Sequence, residues 1–309
     1  GNLLREPAFN AYYAGGDFSH DLLLPGREST PSHPVKLSVH LHPYGDGRKL
    51  MLSRDVTALE QAEAMRRDFV ANVSHEIRTP LTVLVGFIET LQTLQLSNAE
   101  RARYLGLMAQ QGARMHSVVQ DLLTLSRLEG SPLPGRGDWS SVRALLVRCE
   151  EEARALSQLL TPEGATPHRL AFPGEAQLRA AGDIAGSVPE LHSALSNLIS
   201  NAVRYTPAGG RVDVACGKND AGTFIEVVDS GPGIPAIERE RVFDRFYRRH
   251  GEEGLGSGGK SGSGLGLSIV RTIADRHGAT VALSDARRGD ASSGLRVTVL
   301  FPHAARAGE

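Results

Sequence analysis

Several of the features that settle a protein's class at a glance are scarce here. Cysteine occurs only twice in 309 residues, as Cys149 and Cys216, far apart and with no CxxC pair or cysteine/histidine cluster. That excludes a disulfide framework and a zinc site of that kind, and fits a reducing compartment. No run approaches the ~18 consecutive apolar residues of a membrane helix, and no charged-then-apolar leader opens the chain. Net charge is also missing: 34 basic and 35 acidic residues leave a formal charge of -1, which removes any global pull toward nucleic acid or an anionic membrane. The expectation is a soluble segment in the cytoplasm. Gly1 lies in polar, strand-like sequence without an initiator Met, so upstream residues, a membrane anchor among them, are expected before it. What remains is globular in composition, 40% hydrophobic and 22% charged, and long enough for two or three domains at ~100–200 residues each.

Residues 35–56 alternate as strands do. Val35, Leu37, Val39 and Leu41 share one face, followed by Leu50, Leu52 and Val56 after the turn Tyr44-Gly45-Asp46-Gly47, which predicts a hairpin. His40 and His42 also alternate, but without a further ligand nearby they read as solvent-facing positions and not as a metal face. From Leu59 the period becomes helical, through Phe69, Val73, Ile77, Leu81, Leu84, Ile88 and Leu91. A second helix is predicted from Ser97, where Ser97 and Glu100 form a capping box, with the stripe Leu105, Met108, Gly112, Met115, Val119, Leu122 and Leu128. A single helical hairpin cannot cover its own stripe, so two chains pairing into a four-helix bundle is the economical solution; periodicity alone fits a coiled-coil spacer equally. Ser131-Pro132-Leu133-Pro134-Gly135-Arg136-Gly137 has linker composition. Beyond it an α+β unit is predicted, with helices near 140–158, 188–205 and 265–277 and strands near 168–172, 211–216, 223–229, 279–284 and 294–301.

The first long helix contains Ser74-His75-Glu76-Ile77-Arg78-Thr79-Pro80-Leu81. With Val73 and Ile77 toward a core, His75 lies about 200° around the helix and points to water, and Arg78 and Thr79 share its face. Pro80 removes a backbone donor and is expected to bend the helix. A neutral imidazole is a nucleophile near pH 7, and an adjacent carboxylate such as Glu76 can take the proton of its other nitrogen. Taken alone, a histidine beside a glutamate is ordinary helix surface. Downstream, Asn197 and Asn201 lie at i and i+4 with Arg204 and Tyr205 close by, and an amide oxygen suits Mg²⁺, which takes few protein ligands beside nucleotide phosphates. Asp229-Ser230-Gly231-Pro232-Gly233 follows the apolar run Phe224–Val228; a carboxylate at a strand end can accept from an exocyclic amine while glycines admit a flat base. Gly262-Ser263-Gly264-Leu265-Gly266-Leu267 opens a helix, where free amides suit phosphate oxygens. It is neither a Walker loop nor a dinucleotide fingerprint. Residues 251–266 carry eight glycines in sixteen positions, suited to a mobile lid or to a plain surface loop.

Taken in order, these motifs and Phe243-Asp244-Arg245-Phe246-Tyr247-Arg248 make the sequence resemble the histidine kinases of two-component systems, with their H, N, G1, F and G2 boxes all present over residues 59–302. The wording from Phe69 to Leu84, with Arg54-Asp55-Val56-Thr57 before it, is similar to that of phosphate-regulon sensor kinases. The resemblance implies a multidomain chain: 1–57 the C-terminal part of a PAS-like α+β sensor domain, 58–130 an α-helical hairpin forming a dimeric four-helix bundle, 131–137 a linker, 138–303 an α/β sandwich of the Bergerat type that binds ATP, and 304–309 a tail. It implies His75 as phosphoacceptor, Glu76 as general base or orienter and Thr79 as the residue positioning water for the reverse, phosphatase reaction. It implies Asn201 as the Mg²⁺ ligand with help from Asn197, Arg204 and Arg248 at the phosphates, Tyr205 near the base and Asp229 on the adenine amine. Gly231, Gly233, Gly262, Gly264, Leu265 and Gly266 would shape the pocket and lid, and Lys260 would be a lid cation. ATP and Mg²⁺ are the implied cofactors. The implied partners are a second copy of the chain, the receiver aspartate of a response regulator, and upstream sensor or transporter proteins, with no nucleic acid. The implied role is phosphate-starvation signalling from a chain anchored in the bacterial inner membrane by upstream residues. Two other classes compete: a non-enzymatic relay scaffold, against which the intact His75, Asn201 and Asp229 argue, and an ATPase of the gyrase and Hsp90 type, which lacks the H box.

Overall fold

The computed structural model describes residues 5–26, 29–30, 34–135, 137–248, 262–286 and 294–303. The chain divides into two compact units, Gly1–His75 and Glu76–Glu309, and the division falls inside a helix.

In the first unit, α1 (Pro7–Gly15) stops at Gly16, whose φ of 66° is the left-handed conformation that glycine adopts without cost. It covers an antiparallel sheet of β1 (Leu22–Pro25), β2 (Lys36–Tyr44) and β3 (Arg48–Asp55), in that order. Phe9, Tyr12, Leu24, Val39 and Leu41 form its core. The predicted hairpin is present, and its turn puts Gly45, Asp46 and Gly47 at positive φ. Leu50 and Leu52 are 48% and 52% exposed, and so are the other residues of β3, an edge strand of the sheet. His40 and His42 stack at 4.3 Å with His40 Nδ1 2.7 Å from Asp21, and no group of three metal-ligating side chains occurs among the described residues.

Strand β3 passes directly into α2 (Thr57–Thr93). The Thr57 hydroxyl (2.6 Å) and backbone N–H (2.9 Å) both donate to Asp55 Oδ1, which satisfies an orphan donor of the helix start and holds the Asp55 carboxyl below its usual range. Pro80 is buried inside α2, which runs through it unbroken.

The second unit continues α2 and turns into α3 (Asn98–Gly130) through the predicted capping box: Glu100 N–H donates to Ser97 Oγ (3.3 Å) and Ser97 N–H to Glu100 Oε2 (2.9 Å). Phe87 and Tyr104 pack across the hairpin, ring centres 5.5 Å apart. Val118, Leu125 and Leu128 are buried, whereas Leu81, Val85, Ile88, Leu105, Val119 and Leu123 remain 40–52% exposed.

After the linker come β4 (Trp139–Ser141), α4 (Val142–Leu160), β5 (Arg169–Ala171), α5 (Glu175–Ala181), β6 (Asp183–Ala185), α6 (Val188–Tyr205), β7 (Arg211–Asn219), β8 (Gly222–Asp229), two 3-10 turns, α7 (Gly266–Arg276), β9 (Thr280–Asp285) and β10 (Leu295–Pro302). The sheet has the order β5-β7-β8-β10-β9, parallel only between β5 and β7. Alternate residues of its strands (Val212, Val214, Cys216; Ile225, Val227; Val297, Val299, Phe301) meet Leu146 and Cys149 of α4, Leu195 and Ile199 of α6 and Val270 of α7 in one core. Each such aliphatic side chain contributes about 1.5–3 kcal/mol through burial. Cys149 and Cys216 are 1% and 5% exposed, and burial pushes the Cys149 thiol up to about 12. The short β4–β6 pair and α5 were not among the sequence expectations.

Candidate functional site

The site grows from three chain segments that the α/β core brings together. Helix α6 is strongly amphipathic: Leu191, Leu195, Leu198, Ile199, Ala202 and Val203 face the core, which leaves Asn197, Asn201, Arg204 and Tyr205 half-buried on its other side. Its C-terminal end is held by a buried relay. His168 Nε2 lies 3.0 Å from Thr206 O and must donate to it, which makes Nδ1 the acceptor for the Ser157 hydroxyl at 2.8 Å. Strand β8 delivers Asp229, 8% exposed, whose Oδ1 accepts from Gly231 N–H at 2.8 Å and Leu295 N–H at 3.2 Å. Burial pushes this carboxyl above its ordinary range, outweighing the two donated bonds.

The glycines explain the close approach. A Cβ on Gly231 would stand 2.9 Å from both Asp229 Oδ1 and Tyr205 O. A Cβ on Gly266 would stand 2.9 Å from Asn197 Oδ1 and 3.3 Å from Asn201 Nδ2, so only glycine lets the amino end of α7 come against the two amides of α6. Gly264, at φ 72°, faces the backbone of Phe246, whose N–H donates to Gly264 O at 3.0 Å. Phe246 itself sits at φ 62°, a left-handed backbone costing a non-glycine residue roughly 1–3 kcal/mol. Gly262 is 4.0 Å, measured from a Cβ position, from the Tyr205 hydroxyl, and Leu265 is fully buried at the start of α7. Asn197, Asn201, Tyr205, Asp229, Gly231, Gly262, Gly264, Leu265 and Gly266 thus converge around one space between α6, the end of β8 and the amino end of α7. Gly233 (φ 67°) lies in the loop after β8, and Arg248 is half-buried at the end of its described segment. Lys260 and most of the glycine-rich run 251–266 lie outside the described residues.

Gly294, Asp121 and the bond that Ser263 makes escaped the sequence reading. Gly294, at φ 98°, has no room for a Cβ, which would stand 1.9 Å from Asp229 O; a glycine just before a strand was its only signal. Ser263 and Asp121 form a hydrogen bond of 2.6 Å across 142 residues, and nothing local announces it. A cavity of about 560 Å³ is lined by Arg239, Phe243, Asp244, Arg271 and Val281, of which only Phe243 and Asp244 belong to a motif singled out in the sequence. The converging amides, glycines and carboxylate, and not this hollow, form the candidate site.

On α2, His75 is exposed, and so are Arg78 and Thr79, while Glu76 is half-buried and Ile77 turns inward, as the helical spacing predicts. Glu76 Oε2 is 3.0 Å from Arg114 Nη2 of α3. His75 is the last residue of the first compact unit.

Residues 65–131 match the His Kinase A (phospho-acceptor) domain, and residues 186–305 match the family described as histidine kinase-, DNA gyrase B-, and HSP90-like ATPase. The chain is 38% identical over 284 residues to the phosphate regulon sensor protein PhoR of Pseudomonas aeruginosa, covering 92% of this chain and 60% of that protein. It is 28% identical to the sensor protein SrrB of Staphylococcus aureus over 74% of this chain and 37% of SrrB. The chain therefore spans about 60% of the length of PhoR and 37% of that of SrrB. The structure of the histidine kinase ThkA in complex with the response regulator protein TrrA has the same fold, with a TM-score of 0.55 over 97% of this chain and 82% of that one at 18% identity. So does the Acinetobacter baumannii histidine kinase AdeS, with a TM-score of 0.52 over 74% of this chain and 97% of that one at 19% identity.

Proposed function

The chain belongs to the histidine kinases, whose phospho-acceptor and ATPase domains it carries, and from that premise we propose that it phosphorylates His75 with ATP and passes the phosphoryl group to an aspartate of a response regulator. The observation that carries this reading is the presence, in one chain, of an exposed His75 followed by Glu76 and of a glycine-lined space floored by Asp229.

Each residue's part follows from where it stands. Asp229, oriented by two backbone donors, accepts from the exocyclic amine of adenine, and Tyr205 packs near the base. The amino end of α7, opened by Gly262, Gly264 and Gly266, offers free amides to the phosphates, with Arg204 and Arg248 as cations. The amide oxygen of Asn201, backed by Asn197, fits a hard cation; Mg²⁺ held there would neutralise phosphate charge. One imidazole nitrogen of His75 attacks the γ-phosphorus, the bond to the β,γ-bridging oxygen breaks, ADP leaves, and Glu76 takes or orients the proton of the other nitrogen. Positioning and electrostatics supply most of the acceleration.

Thr79, one turn from His75 on the same face, positions water for dephosphorylation of the receiver aspartate. The exposed apolar stripes of α2 and α3 are covered by a second copy, making a four-helix bundle. We place the sensor portion at 1–57, as a part of a PAS-like domain, the phospho-acceptor hairpin at 58–130, the linker at 131–137 and the ATP-binding domain at 138–303. The likeness to PhoR supports a role in phosphate signalling and an anchor in the membrane upstream. Among the described residues no helix is long and apolar enough to cross a membrane.

Incubation with Mg²⁺ and ATP labelled at the γ-phosphate tests the proposal. An acid-labile, base-stable label that disappears in His75→Gln is expected. Steady ATP hydrolysis with no label on the protein, unchanged in His75→Gln, would point to an ATPase of the gyrase type.

A further inference from the structure

Helix α6 ends in a buried corner that touches the carboxylate end of the site. Thr206, 2% exposed, donates its hydroxyl to Ala202 O at 2.7 Å, while its own carbonyl lies past the last turn, where no amide of the helix reaches it. His168, just before β5, supplies that partner through Nε2. The ring is aimed from α4: the Ser157 hydroxyl donates to Nδ1, and the same oxygen accepts from His168 N–H at 3.2 Å. Beyond Thr206 the chain turns into β7 with no slack. A Cβ on Gly210 would stand 2.3 Å from Thr206 Cγ2 and 3.0 Å from Ser230 Oγ. Arg211 N–H donates to Ser230 Oγ at 2.8 Å, and Ser230 N–H to Arg211 O at 3.0 Å. Ser230 sits between Asp229 and Gly231, and a Cβ on Gly231 would meet Tyr205 O. The corner 205–211 therefore joins His168 on one side to Asp229-Ser230-Gly231 on the other.

We propose that His168 is a positioning residue for the base end of the nucleotide site: through Thr206 it fixes the corner 205–211 against Asp229-Ser230-Gly231, and so sharpens the choice of adenine. The inference rests on reading the site as one for ATP, with Asp229 on the adenine amine. A carboxylate oxygen placed to accept from an amine has nothing to accept from the carbonyl oxygen that hypoxanthine carries at the same place. Discrimination of this kind holds only while the surroundings keep the acceptor where it is. A Thr206 carbonyl that loses its buried donor must move toward water or stay unpaired, and the corner moves with it. The phosphates, at the amino end of α7, stand outside this chain of contacts.

The test uses the full chain with Mg²⁺ and two nucleotides, ADP and inosine diphosphate, whose bases differ by an amine against a carbonyl oxygen. His168→Gln keeps an N–H donor at the position of Nε2, whereas His168→Asn is too short to reach Thr206 O. His168→Asn should bind ADP about five- to tenfold more weakly and inosine diphosphate as before, which narrows the preference for adenine. His168→Gln should restore most of that preference. Nitrogen NMR of the unaltered chain gives a reading that needs no substitution: the His168 Nε2–H should exchange more slowly with ADP bound than with inosine diphosphate bound. Equal loss of both nucleotides in His168→Asn overturns the inference, because a role in stability alone lowers both in proportion. So does a glutamine variant no better than the asparagine one, or an exchange rate that ignores the base. An unaltered chain that binds neither nucleotide sinks the ATP reading first, and this inference with it. One that binds the two equally leaves the phosphate site standing and overturns the inference alone.

Discussion

Arg114 Nη2 of α3 stands 3.0 Å from Glu76 Oε2 of α2, each side chain about one fifth exposed, so the residue after His75 is tied to the other arm of the hairpin. A pair this exposed contributes no more than about 1 kcal/mol to stability. Its larger effect is to fix where the carboxylate points. Arg114→Gln should slow phosphorylation of His75 by about tenfold or more while leaving the affinity for nucleotide alone, and Arg114→Lys should recover part of the rate. Glu76→Gln should lose about 10²–10⁴. Initial rates of label incorporation against ATP concentration separate the two parameters; a change confined to KM would contradict this account.

Asp229 couples binding and stability in opposite senses. Its folded pKa lies above the ordinary 3.8, so the group stabilises the fold only in its protonated form: that contribution is present at low pH and is lost as pH rises through the raised value. At neutral pH the buried charge is a cost. Asp229→Asn keeps an acceptor for Gly231 and Leu295 and removes that charge. Its melting temperature should equal or exceed that of the unaltered chain at pH 7, with the advantage shrinking toward pH 3.8, while nucleotide affinity falls about tenfold or more. Melting curves at several pH values, beside a binding titration, check both halves.

Gly266→Ala should separate site from scaffold. The added methyl meets Asn197 Oδ1 at 2.9 Å, so the amino end of α7 or the amide must shift. Alanine is otherwise the better helix former by about 0.8–1 kcal/mol. Nucleotide affinity is expected to drop with little loss of melting temperature; unaltered binding would show that α7 need not approach α6 so closely.

Core substitution gives the complementary result. Ile199→Ala, at 1% exposure behind the Asn201 face of α6, should cost about 2–5 kcal/mol and lower affinity only through unfolding. Denaturant titration with and without the ATP analogue distinguishes this from a binding defect, because ligand should restore part of the lost stability.

Thr79→Ala should leave label incorporation at His75 intact and abolish the dephosphorylation of a phosphorylated receiver domain. Loss of both activities together would mean that Thr79 acts through the helix and not on water.

The parts of this fold that were legible in the sequence are those with long periodic signals or special backbone chemistry. α2 and α3 announced themselves through repeats of three and four residues and through Ser97 and Glu100, and the amides of α6 and the glycines of 262–266, singled out separately in the sequence, lie against one another in the fold. Alternation along β3 was equally plain, yet it cannot say whether a strand has a neighbour, and Leu50 and Leu52 lie exposed on an edge. β4 and β6, three residues each, are too short for any period. On α3 the expected stripe included Val119, which is 40% exposed, whereas its neighbour Val118 is fully buried: the helix is apolar on two sides, and periodicity does not choose between them. Asp121 and Ser263 are unremarkable residues until folding brings them together.

The placement of the two sulfurs has a practical outcome. Both thiols sit in the same apolar cluster, on α4 and on β7, with the proton of Cys149 held tightly at neutral pH. Alkylating reagents should find the native protein inert and then modify both positions together once that cluster opens, which turns the rate of modification into a clock for local unfolding. Adding nucleotide should slow that clock without touching either sulfur.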